Sequence, residues 1–201
     1  MIRILIAEDQ GMVRDALATL LGMEPDMQIV AQVATGDEIV SAAQAARPDV
    51  ALLDVEMPGT DGLSAAAVLH RELPGCHLLI LTTFGRPGYL RRAMDSGASG
   101  FVLKDGPVED LVRAIHQILG GRKVIDPTLA AAALSTGPNP LSVRERDVLT
   151  AATDGSTVAE IAGRLYLSEG TVRNYLSAAI GKTGTRNRLE ATRTATDNGW
   201  I

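Results

Sequence analysis

Val50-Ala51-Leu52-Leu53-Asp54-Val55-Glu56-Met57-Pro58-Gly59 sets four consecutive apolar residues directly before a carboxylate and closes on a turn. An apolar run with no polar alternates describes a strand covered on both faces, as strands of a parallel sheet are. Pro58-Gly59 presets one backbone angle and frees the next, so the chain turns just beyond Asp54. Moving outward, residues 2–7, 28–33, 77–81 and 100–103 read as further strands. Residues 11–23, 37–46, 62–73, 87–95 and 108–119 carry their apolar side chains at helical spacing. Strands alternating with helices in a (βα)5 order predict an α/β unit whose parallel sheet carries helices on both faces. In such sheets chemistry gathers beyond the carboxyl ends of the strands.

The pattern stops at Gly120-Gly121-Arg122-Lys123. Residues 121–140 read as a linker with a short Ala-rich helix over 126–134 opened by Pro127, followed by Ser135-Thr136-Gly137-Pro138-Asn139-Pro140. No strand pattern returns over residues 141–201. Ser142-Val143-Arg144-Glu145 is a capping box, and helices are predicted from there, over 157–165, over 168–180 and from Arg188 to about Asp197. The expected division is therefore an α/β domain over 1–120, a linker over 121–140 and a small all-α domain over 141–201.

Composition narrows the function. The hydrophobic fraction of 46% supports real cores, but aromatics are only 3%, so Ala, Val, Leu and Ile must fill them. The apolar runs are far shorter than the roughly 20 residues of a spanning helix, and the N-terminus turns acidic at Glu8-Asp9, too soon for a secretory signal. Cys76 is the single cysteine, which excludes an intrachain disulfide and a multi-cysteine metal site. These features point to a cytoplasmic protein. The net charge of −5 conceals an asymmetry: residues 1–137 carry 11 Lys/Arg against 17 Asp/Glu, and residues 138–201 carry 8 against 7. From Arg164 onward the count is 6 against 3, a modest basic surface late in the chain that suits phosphates.

The first strand ends in Glu8-Asp9, the third in Asp54 and the fourth in Thr82, and Lys104 follows the fifth. If these strands are neighbours, all five residues meet at one sheet edge. Three close carboxylates repel unless a cation lies among them, and hard oxygen ligands suit Mg²⁺ best, with Mn²⁺ a substitute. Asp54 is then the natural nucleophile for a phosphoryl group, with Lys104 and the Thr82 hydroxyl available to its oxygens. Taken singly, each residue reads as a turn, cap or solvated side chain; the case lies in their agreement with one topology.

Glu8-Asp9, Leu53-Asp54-Val55-Glu56-Met57-Pro58-Gly59-Thr60-Asp61-Gly62, Leu81-Thr82-Thr83 and Gly97-Ala98-Ser99-Gly100-Phe101-Val102-Leu103-Lys104 resemble the receiver domains of two-component response regulators, which have a flavodoxin-like fold. The resemblance covers residues 1 to about 120. It implies that Asp54 takes phosphate from a sensor histidine kinase and that Asp9, Asp54 and the backbone carbonyl of Glu56 ligate Mg²⁺, with Glu8 reaching it through water. It also implies a switch pair, Thr82 and Phe101, whose inward movement changes the surface around the fourth helix and fifth strand. Arg86-Pro87-Gly88 is expected to give the loop before that helix room to move.

Residues 157–165 and 168–180, separated by Tyr166-Leu167, have the layout of a helix-turn-helix. Leu141-Ser142-Val143-Arg144-Glu145-Arg146, Glu160-Ile161-Ala162, Leu167-Ser168-Glu169-Gly170-Thr171-Val172-Arg173 and Lys182 resemble the LuxR-type domain of the NarL/FixJ family. Ser168, Glu169, Thr171, Arg173, Asn174 and Lys182 become the candidate DNA-contacting residues, Arg173 suited to guanine or phosphate and Asn174 to adenine. Two departures stand out. Tyr175 replaces the usual His, and Thr157-Val158-Ala159 replaces the common Asn-Lys pair before Glu160, which removes one phosphate-contacting Lys. Gly170-Thr171-Val172-Arg173-Asn174-Tyr175-Leu176-Ser177 is similar to the DesR-type subgroup, which implies control of membrane-lipid desaturation genes.

The combined expectation is a transcription factor that dimerises on phosphorylation of Asp54 and binds double-stranded DNA. Two alternatives use the same residues. A phosphoaspartyl hydrolase would want a second Asp two residues after the nucleophile, where Glu56 stands. A constitutive DNA-binding protein with a vestigial first domain would have no need of all five site residues.

Overall fold

The computed structural model describes residues 1–83, 87–135 and 138–201. Arg86 and the linker residues Thr136 and Gly137, both singled out in the sequence, lie outside the described residues. The chain forms two compact units, one reaching Ala132 and the other running from Ala133 to Ile201.

Up to the boundary, which falls within the last of these helices, the order is β1 (Ile2–Ala7), α1 (Gly11–Gly22), β2 (Met27–Val33), α2 (Gly36–Ala46), β3 (Val50–Asp54), α3 (Gly62–Glu72), β4 (His77–Thr82), α4 (Pro87–Asp95), β5 (Gly100–Leu103), α5 (Val108–Leu119), β6 (Val124–Ile125) and α6 (Pro127–Ser135). The strands pair in parallel in the order β2-β1-β3-β4-β5-β6. The order reverses between β1 and β3, the topological switch point where ligands of open α/β sheets bind. Both faces are covered. Ile4, Ile6, Val50, Leu52, Leu79 and Leu81 pack with Ala114, Ile115 and Ile118 of α5, and the alternate residues Leu5, Ala51, Leu53, Leu78 and Ile80 are as deeply buried on the opposite face. With aromatics so scarce, Phe101 is the largest fully buried side chain among the described residues.

The sheet has one strand more than the five expected. Val124 and Ile125 add a short edge to β5, opposite Gly100 and Phe101. Two residues give no periodicity to read, and their pairing comes from the chain reversing at Gly120-Gly121. The Ala-rich helix α6 forms where expected, its first turn capped by the Asp126 carboxylate, which accepts from the Thr128 N–H at 2.7 Å.

The second unit is all helical: α7 (Val143–Ala151), α8 (Val158–Leu165), α9 (Glu169–Thr183) and α10 (Arg188–Asp197). Each helix opens on a side-chain cap, from Ser142, Thr157, Ser168 and Asn187 in turn, and the first two are full capping boxes with Glu145 and Glu160. Val148, Leu149, Ile161, Val172, Ala179 and Ala191 form the core, with Trp200 and Ile201 packed against it. The Asn139 side-chain amide donates to the Trp200 carbonyl at 2.9 Å, tying the start of the unit to its end. Among the described residues no helix is long and apolar enough to cross a membrane.

Cys76 lies between α3 and β4, 7% exposed. Burial, with the Asp49 charge nearby, pushes its thiol up to about 12. The thiolate is the reactive form, so at pH 8 the folded protein is expected to react only slowly with an aromatic disulfide reagent. Rapid stoichiometric reaction should appear on adding denaturant; equal rates in both conditions would contradict this placement.

Candidate functional site

The ends of the parallel strands are nearly level, and this positions the site. Ala7 stands opposite Leu53, Asp54 opposite Leu81, and Thr82 opposite Leu103. Glu8 therefore follows β1 beside the end of β3, and Lys104 follows β5 beside Thr82, whose carbonyl accepts the Lys104 N–H at 2.9 Å. Glu8 is fully buried and Asp54 is 5% exposed. The Lys104 ammonium bridges them, 2.5 Å from Glu8 Oε2 and 2.9 Å from Asp54 Oδ2. Asp9 completes a group of three residues whose carboxylate oxygens lie within 4.8 Å of one another.

Burial pushes the Glu8 and Asp54 carboxyls above their ordinary values, against the opposing pull of Lys104 on both. At Asp54 the backbone N–H groups of Val55 and Glu56 also favour the charged form. The chain packs closely behind this carboxylate: a Cβ at Gly62 would fall 1.8 Å from the Asp54 carbonyl oxygen, so only glycine lets α3 begin there. Three carboxylates against one ammonium leave an uncompensated negative charge in a set of hard oxygen donors. That donor set fits a divalent cation of the Mg²⁺ type.

The other predicted residues fall near this edge. Thr82 is 2% exposed and Phe101 fully buried. Phe101 is opposite Ile80 on β4, so it shares a sheet face with Ile80 and Thr82. The Glu56 carboxylate accepts the Tyr89 hydroxyl at 2.9 Å, so the side chain is engaged with α4, and the expectation for Glu56 concerned its backbone carbonyl. Tyr89 had no signal in the sequence, because its partner lies 33 residues away and the connection between them is set by the sheet.

In the second unit, α8, the turn at Tyr166-Leu167 and α9 form the helix-turn-helix. Ile161, Ala162 and Val172 are buried at the crossing, and Leu165 and Leu167 pack against them. Ser168 caps α9, accepting the Thr171 N–H at 3.1 Å. Ser168, Glu169, Arg173 and Asn174 are exposed on its first turns. Tyr175, in place of the usual His, packs partly buried against the core.

The response regulator receiver domain matches residues 4–116, and the luxR family of bacterial regulatory proteins matches residues 139–195. The chain belongs to the response regulators. This response regulator is 45% identical to YvfU, an uncharacterized transcriptional regulatory protein of Bacillus subtilis strain 168, and 44% identical to the transcriptional regulatory protein DesR of the same organism. Both alignments cover the whole of each chain. Among solved structures, the response regulator ChrA of a heme-sensing two-component system matches with a TM-score of 0.60 at 32% identity, over 100% of this chain and 98% of that one. The protein is thus a two-component transcription regulator with a receiver domain and a LuxR-type DNA-binding domain.

Two of the candidate DNA-contacting cations in this response regulator have intramolecular partners. Arg173 pairs with Glu169 one turn back at 2.6 Å, and Lys182 reaches Glu145 across the domain at 2.7 Å. Glu145 is 5% exposed. Burial alone would raise its carboxyl, but Lys182 and the Ser142 cap outweigh that and hold it below its ordinary value of 4.5. A carboxyl depressed by folding stabilises the fold above its unfolded value, and the contribution disappears as pH falls through the folded one. Lys182→Ala is therefore expected to destabilise the helical domain by about 0.5–1 kcal/mol at pH 7, a modest figure because the lysine is partly solvated. The difference from wild type should shrink as pH falls below 4.5. Equal melting midpoints for wild type and variant at pH 7 would remove this role.

Proposed function

We propose that Asp54 accepts a phosphoryl group from the phosphohistidine of a sensor histidine kinase, and that the phosphorylated protein forms a homodimer that binds promoter DNA. The observation that carries this is the meeting of the Glu8, Asp9 and Asp54 carboxylates with the Lys104 ammonium at the sheet's switch point. In the transfer, an Asp54 carboxylate oxygen forms a bond to phosphorus. The bond from phosphorus to the donor's imidazole nitrogen breaks, and the imidazole keeps the electron pair. Lys104, 2.9 Å from Asp54, is placed to pair with a phosphoryl oxygen, and the Thr82 hydroxyl is the candidate donor to another.

Asp9, Asp54 and the Glu56 backbone carbonyl, with Glu8 behind them, would hold Mg²⁺, or Mn²⁺ in its place. When bound, such an ion neutralises phosphoryl oxygens and the charge that develops in an in-line transfer. Burial of Asp54 and Glu8 keeps bulk water from the acyl phosphate, so self-dephosphorylation is slow and serves as a timer. We place the receiver over 1–120, the linker over 121–140 and the DNA-binding domain over 141–201, in the cytoplasm. Thr82 and Phe101, on one sheet face, are the proposed switch pair. Ser168, Glu169, Thr171, Arg173 and Asn174 form the proposed DNA-reading surface, with Lys182 a further proposed contact at the far end of the same helix. A dimer turns the second recognition helix's contact into an effectively intramolecular one, which raises affinity without new contacts. Membrane-lipid desaturation genes are the proposed target, on the resemblance of residues 170–177 to the DesR-type subgroup.

Incubation with a small acyl-phosphate donor and Mg²⁺ should add one phosphoryl group to wild type and none to Asp54→Ala, with labelling abolished by a chelator. Lys104→Ala should label much more slowly. The labelled protein should sediment as a dimer and bind promoter DNA about tenfold or more tightly. An unchanged mass would sink the phosphoacceptor assignment, and a changed mass with equal DNA affinity would sink the coupling.

A further inference from the structure

Among the described residues, five helices end in the same pair of backbone bonds, in which the two residues after the last turn donate back to carbonyls three and five residues earlier. The residue that makes the reversal has a left-handed backbone. In α4, α5, α9 and α10 it is glycine: Gly97, Gly121, Gly184 and Gly199. In α8 it is Tyr166, with φ 55 and ψ 44, its N–H donating to the Gly163 carbonyl and the Leu167 N–H to that of Ala162. A side chain with a Cβ is disfavoured there, which is why glycine is the usual residue.

The only other non-glycine with positive φ among the described residues is Arg47, and its placement has an internal use: its carbonyl accepts from the Arg3 guanidinium, and Pro48 follows. Tyr166 has no such use. It is 96% exposed in a chain with only three tyrosines, and among the described residues its side chain finds no hydrogen-bond partner and lies outside the domain core. A strained residue that contributes nothing to its own fold points to something outside it.

Its position says what. Tyr166 stands two residues before Ser168, the cap of the recognition helix, at the joint between that helix and the one before it. In helix-turn-helix docking the first helix crosses the DNA backbone and the second enters the major groove by its N-terminal turns, so the joint between them lies close to the sugar–phosphate chain. The cations on the two helices that meet at this joint have carboxylate partners: Arg164 with Asp154 and Arg173 with Glu169. A neutral hydroxyl donor on a rigid aromatic arm needs no ion pair broken before it can contact the DNA backbone. We infer that Tyr166 is a DNA-contacting residue whose hydroxyl donates to a backbone phosphate and whose ring lies against the adjoining sugar.

This rests on the DNA-binding reading, and because a phosphate contact is independent of base sequence it can be tested with a mixed-sequence duplex at low salt. The full-length protein is compared with Tyr166→Gly and Tyr166→Phe, and folding is followed by the fluorescence of Trp200, the only tryptophan, which packs on the helical core. Tyr166→Gly should melt at the same temperature or up to about 4 °C higher, the left-handed strain being relieved. Both variants should bind the duplex about fivefold or more weakly. The slope of log affinity against log salt should not change, since no charge is removed. Either variant binding as tightly as wild type overturns the inference, and so does a shallower salt slope, which would trace the loss to displaced cations. Failure of wild type itself to bind any duplex would instead overturn the DNA-binding reading.

Discussion

The Lys104 ammonium, held between the carboxylates of Glu8 and Asp54, joins the ends of three strands. Two buried carboxylates side by side repel each other and resist dehydration, and either alone would relax by taking up a proton or turning toward solvent. The lysine offsets both tendencies only if β1, β3 and β5 end at the same height. A one-residue slip of β5 would turn Lys104 to the other face of the sheet. The Lys104 N–H bond to the Thr82 carbonyl and the glycine at position 62 behind Asp54 both serve this alignment. The site's reactivity and the sheet's register are in this sense one constraint: burial works against the charged form of Asp54, and the Lys104 ammonium works for it.

Much of this was legible in the residues themselves. Apolar runs such as Val50 to Leu53 have one physical meaning, coverage on both faces, and the carboxylates at Glu8 and Asp54 locate the ends of the first and third strands. Ser142 with Glu145 announces the start of α7, since the reciprocal cap is a local device that uses only neighbouring residues. The features that could not be read depend on residues distant in sequence. Val124 and Ile125 form a strand only because β5 offers an edge. Glu56 meets Tyr89, and Glu145 meets Lys182, through packing over 33 and 37 residues. The left-handed turn at Tyr166 escaped for the opposite reason: the expected residue there is glycine, and a tyrosine gives no warning that it occupies glycine's place.

The two units handle their charges differently. In the receiver, charge is concentrated and buried, with a net excess of acid at one sheet edge. In the helical domain it is dispersed into local pairs, such as Arg173 with Glu169 and Arg186 with Glu190, each one turn apart. Such pairs stabilise exposed helices only slightly and are readily exchanged for a stronger anion. The domain can therefore be nearly neutral in isolation and still release guanidinium groups to a phosphate chain.

Glu145 accepts the Ser142 N–H at the start of α7 and the Lys182 ammonium from the last turn of α9. One carboxylate thus pins the tail of the recognition helix to the head of another. A rod clamped at its far end can still bend, but it cannot be drawn along its own axis. The clamp lies some 13 residues from Glu169, so the turn that opens the helix and the turn that anchors it are separated by nearly its whole length.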